Sequence, residues 1–171
     1  AEGSGSANRQ LAEGRSSHVE GEINYAGGIA AHAEGRGNSA TANYSHAEGS
    51  VTNATGEASH AEGTFTNATG EASHAEGRGT DATGIGSHAE GYDTNATGDN
   101  GSHAEGRLTT ASGQGSHAEG LQTLASGNYS HSEGYETNST GDYSHSENQR
   151  TTSSGRGSHA EGYNTTASGN Y

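Results

Sequence analysis

Ser87-His88-Ala89-Glu90-Gly91-Tyr92-Asp93-Thr94-Asn95-Ala96-Thr97-Gly98, followed by two linking residues before the next Ser-His, is one unit of a repeat that fills almost the whole chain. It holds two related segments, SHAEG and TNATG, each with Ala at its centre and Gly at its end. Short segments of this kind, closed by glycine-permitted turns, read as β-strands. A unit this short at a fixed period is one structural element stacked on itself.

The unit recurs as a His-x-Glu pair at His18/Glu20, His32/Glu34, His46/Glu48, His60/Glu62, His74/Glu76, His88/Glu90, His103/Glu105, His117/Glu119, His131/Glu133, His145/Glu147 and His159/Glu161. Successive histidines are 14 residues apart except for one 15-residue step, from His88 to His103, and these pairs use all 11 histidines of the chain. The extra residue is expected in the turn Asp99-Asn100-Gly101, where a bulge leaves strand register intact. Residues 17–171 are therefore read as eleven 14-residue coils. Residues 1–16 are read as an irregular or degenerate N-terminal coil or cap, in which Gln10-Leu11-Ala12-Glu13-Gly14 fits the second strand. The sequence opens without Met and stops inside a repeat, so a fragment of something longer is expected.

Composition narrows the fold. Of 171 residues only 25% are apolar, with one Phe and no Trp, Met or Pro, which is too little for an ordinary packed core. Low hydropathy and a formal charge of −14 would by themselves suggest disorder. Strict repetition argues the other way. Thirty glycines spread through the repeats exclude long helices, and their spacing is not the every-third-residue pattern of collagen. Without cysteine there are no disulfides and no thiolate metal sites. No apolar run approaches a membrane span of roughly 20 residues. Seven Lys plus Arg against 21 Asp plus Glu argue against nucleic acid or an anionic membrane as a partner.

Strand alternation places Ser87, Ala89 and Gly91 on one face and His88 and Glu90 on the other, and separates Thr94, Ala96 and Gly98 from Asn95 and Thr97. The Asn95 position varies among Asn, Asp, Thr and Leu124, as a solvent-facing site does. The small residues therefore point inward and His and Glu point out. Stacking at about 4.8 Å gives two parallel sheets and a rod of roughly 50 Å, an all-β solenoid.

A core of Ala, Ser and Thr gains little from apolar burial, so a second buried surface is expected. The SHAEG face, with His and Glu in all eleven coils, is the better candidate. Carboxylates about 5 Å apart repel by roughly 0.8 kcal/mol per pair even in water. Interleaved imidazolium groups would relieve this, so His and Glu are expected to pair between coils or subunits with His held in its charged form.

In Ser87, Ala89, Gly91, Ala96 and Gly98 the unit resembles the YadA-like head repeats of trimeric autotransporter adhesins, which read approximately S-V-A-I-G-x-x-A-x-A-x-G-x-x. The match runs from about Ser17 to the C-terminus. This resemblance implies a left-handed parallel β-roll, a parallel homotrimer about a central axis, and an extracellular adhesin or fibre. His and Glu stand where the family keeps Val and Ile, so the resemblance makes the His/Glu ladder, from His18/Glu20 through His159/Glu161, an ionisable trimer interface. The SHAEG repeats also resemble those of phage and prophage tail fibres and tail spikes. The implied function is attachment to a host surface, through a glycan or a protein, on a bacterial cell or a virion.

Other readings are weaker. His-x-Glu arrays suit zinc, copper or nickel, but residues i and i+2 on a strand lie about 6.5 to 7 Å apart, which argues against a chelate within one coil. No metal or other cofactor is assigned. An eleven-fold ladder is not the singular constellation of an active site, so no catalytic residue is assigned and an enzyme is not expected. The column Thr55, Thr69, Thr83, Thr97, Ser112, Ser126, Thr140, Ser154 and Ser168 resembles an ice-binding face, though serine replaces threonine in four of its nine coils. Tyr92, Tyr135 and Tyr163 after the SHAEG glycine, Tyr44, Tyr129, Tyr143 and Tyr171 before the next strand, and Phe65, Leu108 and Leu121 are all read as turn residues. They shield coil edges or pack between subunits, with aromatic contact to a glycan or protein as the functional alternative. Sequons such as Asn53-Ala54-Thr55 arise from the strand pattern itself.

Overall fold

The computed structural model describes residues 10–171, so most of the expected N-terminal cap lies outside the described residues. Within them the chain is a parallel β-solenoid of 14-residue coils. Strands begun by the histidines, from His18–Glu22 to His159–Ala160, form an 11-stranded sheet. Two-residue strands, from Leu11–Ala12 to Thr166–Ala167, form a 12-stranded sheet. Each strand pairs in parallel with its equivalent one coil away, so His74 faces His88, Ala75 faces Ala89 and Glu76 faces Glu90. Leu11–Ala12 joins the second sheet by pairing with Tyr25–Ala26.

The second segment is shorter as a strand than its five residues suggest: only Asn95–Ala96 pairs as one. Beyond it the N–H groups of Thr97 and Gly98 both donate to the Ala111 carbonyl, at 2.9 and 3.2 Å. One acceptor shared by two successive donors marks the bend that returns the chain to the first sheet. The extra residue lies in the turn through Asn100 (φ 61) and Gly101 (φ 76), while His88 still pairs with His103.

Small side chains fill the interior. Ala89 and Ala96, like their equivalents in neighbouring coils, are 0% exposed. Ser87 is buried and donates its hydroxyl to the Gly84 carbonyl at 2.7 Å, a bond that recurs at Ser59, Ser73, Ser116 and Ser130. Toward the C-terminus serine replaces core alanine, and the added hydroxyls find acceptors: Ser146 donates to the Asn138 carbonyl at 2.8 Å and Ser153 to the His145 carbonyl at 2.6 Å. The Thr94 column is treated differently. Thr52, Thr66, Thr80, Thr94 and Thr109 are buried and their Oγ1 atoms have no hydrogen-bond partner. In the first coils asparagine holds that position and builds a ladder instead, with the Asn38 N–H donating to Asn24 Oδ1 and the Thr52 N–H to Asn38 Oδ1.

One inward placement is corrected. Gly91 is exposed rather than part of the core, and its φ is +112°. A Cβ added there would lie 2.2 Å from the Gly106 carbonyl oxygen of the next coil. The column therefore needs glycine for its backbone conformation and close approach, not for interior volume. Asn148 is its exception, at φ 77°, and there the long strand shrinks from five residues to His145–Ser146. Three residues read as turn positions also move: Tyr92, Leu121 and Tyr135 are the last paired residues of their strands, because the ladder continues one residue beyond the glycine. Phe65, Leu108, Tyr44, Tyr129 and Tyr143 do sit on turns, each at φ between 55 and 60°.

No helix among the described residues is long and apolar enough to cross a membrane.

Candidate functional site: the His/Glu face

The His-x-Glu pairs line the outer face of the first sheet, opposite the buried Ser and Ala columns. Register does the positioning: with strands paired residue for residue, every His lies over the His of the neighbouring coil. From His32 to His159 the imidazoles form one stack, with centroids 4.6 to 4.9 Å apart and rings within 6° of parallel. His18, in the first strand of this sheet, meets His32 edge-on at 79°. The side chains are half-buried: His60 is 35% exposed and Glu62 33%.

Carboxylates run beside the rings. His32 Nε2 is 3.5 Å from Glu34 Oε2 within one coil, and His117 Nε2 is 3.5 Å from Glu105 Oε1 of the coil before. His60 stands between two carboxylates, 3.9 Å from Glu48 and 3.8 Å from Glu62. The backbone spacing of residues i and i+2 thus does not keep their side-chain tips apart, since the rotamers lean toward each other. That corrects the argument against convergence within one coil.

Glu161 lies just past the strand His159–Ala160 and is exposed, and among the described residues no histidine forms an ion pair with it. His159 turns instead to Glu147 of the coil before, 3.4 Å away. The Glu147 N–H donates to the Ala160 carbonyl at 3.0 Å, and the Glu161 carbonyl accepts from the Thr165 hydroxyl at 2.8 Å, a bond internal to its own coil.

At His46, His60, His88, His103 and His145 the shift runs against the expected charged form. Burial, followed by the neighbouring imidazoles His46 and His74, lowers the pKa of His60 below its usual value. Burial again comes first for His46, His88, His103 and His145, each with a stacked neighbour adding to it. A parallel stack of imidazoles cannot charge without placing like charges about 4.8 Å apart in a partly desolvated column. In these five the neutral ring is favoured. Four successive carboxyls, Glu48, Glu62, Glu76 and Glu90, shift in alternating directions. Hydrogen bonding toward Glu62, then burial, then Glu34, push Glu48 up to about 7. Glu76 is pushed up to about 7 by hydrogen bonding toward Glu90 and Glu62 and by burial. Glu62 and Glu90, receiving those bonds, are held low. A protonated carboxyl between two ionised ones is the arrangement expected when like charges share a site.

A groove of about 1190 Å³ runs along this face from Glu20 to Asn148, lined by the Glu column and the exposed glycines beside it. Strand alternation does not foretell it, because it depends on the glycine column facing outward. Beside the ladders lie side chains from the turns. Tyr92 lies between Arg78 and Arg107, with guanidinium carbons 5.4 and 5.6 Å from its ring centre, and Arg150 pairs with Glu136 at 2.6 Å. The Thr97 column is exposed along most of its length, apart from the half-buried Ser126.

The chain matches no protein-family model and no curated protein sequence.

Proposed function

We propose that this chain is a shaft or head segment of a surface-exposed attachment fibre, an adhesin or a phage tail fibre, assembled as a parallel homotrimer of left-handed β-rolls. The observation that carries this reading is the groove along the His/Glu face. It extends over nearly the full stack of coils, and the repeat keeps Glu at this position in all eleven coils while the opposite face varies. A linear concave surface of constant chemistry fits a linear partner of the same period, and a second copy of this chain has that period. Closed rotational symmetry would let three copies bury the same face about one axis. The likeness of Ser87, Ala89, Gly91, Ala96 and Gly98 to the head repeats of trimeric adhesins supports the same arrangement.

The role follows from shape. A stack of hydrogen-bonded coils makes a stiff spacer, and a trimer shows any surface patch three times, which raises avidity for a repeated host glycan or protein. The exposed Tyr92 between Arg78 and Arg107 is a patch of the kind that contacts such ligands. Mass in solution is the test. Light scattering on the eluting protein is expected to give three times the chain mass of 17.1 kDa. A stable monomer would overturn the trimer and the interface role of the His/Glu face together.

A further inference from the structure

Nine consecutive imidazoles, from His32 to His145, keep their Nε2 atoms out of solvent and without any hydrogen-bond partner. A buried polar nitrogen left unpaired in every coil is costly and calls for a physical reason. The nearest acceptors are carboxylate oxygens, but at 3.4 to 3.9 Å they stand too far for charge-assisted hydrogen bonds, which close to about 2.7–2.9 Å. The gap matches a different contact. An ion held about 2.1 Å from both an imidazole nitrogen and a carboxylate oxygen at a tetrahedral angle sets them about 3.4 Å apart. His159 and Glu147 stand at 3.4 Å, and His117 and Glu105 at 3.5 Å.

Three donors converge, not two. Ligand atoms of Glu48, His60 and Glu62 lie within 4.8 Å of one another, as do those of Glu62, His74 and Glu76, and those of His88, Glu90 and His103. Eight such groups lie along the described residues.

We propose that the His/Glu face is a linear binding array for divalent transition-metal ions of zinc type. Each ion is held by imidazole Nε2 and carboxylate oxygens of two successive coils, with the remaining position open to water or to a donor from another chain. Mixed nitrogen and oxygen donors suit zinc, cobalt, nickel and copper. Calcium and magnesium require six or more oxygen donors, and each group supplies at most two carboxylates. Zinc would partner the orphaned nitrogens and cancel the repulsion between stacked carboxylates, tying each coil to the next. All three donors come from one chain, so the array does not depend on the trimer.

The test is zinc chloride titrated into the chelator-stripped chain, read by calorimetry and by thermal melting, with calcium chloride at equal ionic strength alongside. Adjacent groups share a carboxylate, so saturation is expected at about four ions per chain if neighbouring groups exclude each other and about eight if Glu bridges. The melting temperature is expected to rise by about 5 °C or more with zinc and to stay unmoved with calcium. His74→Phe keeps a ring in the stack without its nitrogen and is expected to lose one ion, and Glu62→Gln, which serves two groups, one or two. Three results overturn the proposal: no saturable zinc binding, an equal rise with calcium, or an unchanged zinc count in both folded variants. Should His74→Phe fail to fold, Glu62→Gln alone decides. Mass measured with and without zinc separates this proposal from the trimer, since a monomer that binds zinc keeps one and loses the other.

Discussion

His88 Nε2 lies 3.7 Å from Glu76 Oε1 of the preceding coil, marginally closer than the 3.8 Å to Glu90 of its own. An imidazole so placed is shared between two carboxylates, and the two columns form one interlocked ladder. Charge on any member is felt by its neighbours in both directions, which makes the face a coupled titrating unit.

Its pH dependence follows from opposed shifts. Glu48 and Glu76, raised to about 7 in the folded chain, contribute stability that is fully present below their unfolded pKa and is lost as pH rises toward 7. The five lowered histidines contribute in the opposite sense: unfolding takes up protons below about 6.5, so their contribution falls as pH drops below that value. The double variant Glu48→Gln/Glu76→Gln removes the first component. In chelator-containing buffer it is expected to be more stable than the parent at pH 8, by about 1–2 kcal/mol from relief of like-charge repulsion. Its stability should climb from pH 5 to about 6.5 and then level off. Urea midpoints across pH 5 to 8 read both effects, and a variant that is weaker than the parent at pH 8 contradicts the alternating ladder.

Buried hydroxyls without partners are a stability reserve. Thr80 and Thr94 are 0% exposed and their Oγ1 atoms are unpaired. Thr80→Val keeps the shape and removes the desolvated hydroxyl, so each such change is expected to stabilise by about 1 kcal/mol. Ser87→Ala is the contrasting change: it deletes the hydroxyl that donates to the Gly84 carbonyl and is expected to cost about 1 kcal/mol. Denaturant midpoints of the two variants should move in opposite directions.

The glycine column offers the sharpest structural contrast. Gly91→Ala would force a Cβ to within 2.2 Å of the Gly106 carbonyl oxygen at a φ of +112°. A loss of about 3 kcal/mol or more is expected, since backbone rather than a flexible side chain stands in the way. Asn148→Gly, at the column's exception, is expected to gain about 0.5–1 kcal/mol and to extend the strand beyond His145–Ser146. Thermal melts report both signs, and amide exchange at Asn148 and Gln149 would show the lengthened ladder.

Much of this was legible in the spacing of residues. The 14-residue period, the two parallel sheets, the inward Ser and Ala columns and the outward His and Glu follow from strand alternation and appear as expected. The glycine beside Glu90 did not follow, because alternation assumes extended dihedrals and Gly91 leaves them. The groove beside it was hidden for the same reason.

The sequence by itself determined the coil: period, strand positions and register all come from local pattern, since a one-residue slip would turn Ala89 out and His88 in. Only the tertiary structure decided the state of the His/Glu face. Stacking at 4.8 Å brings like groups together from residues 14 apart, and burial, then the neighbouring imidazoles, lower the pKa of His88. Ionisation depends on neighbours in space, and those neighbours exist only once the coils are stacked.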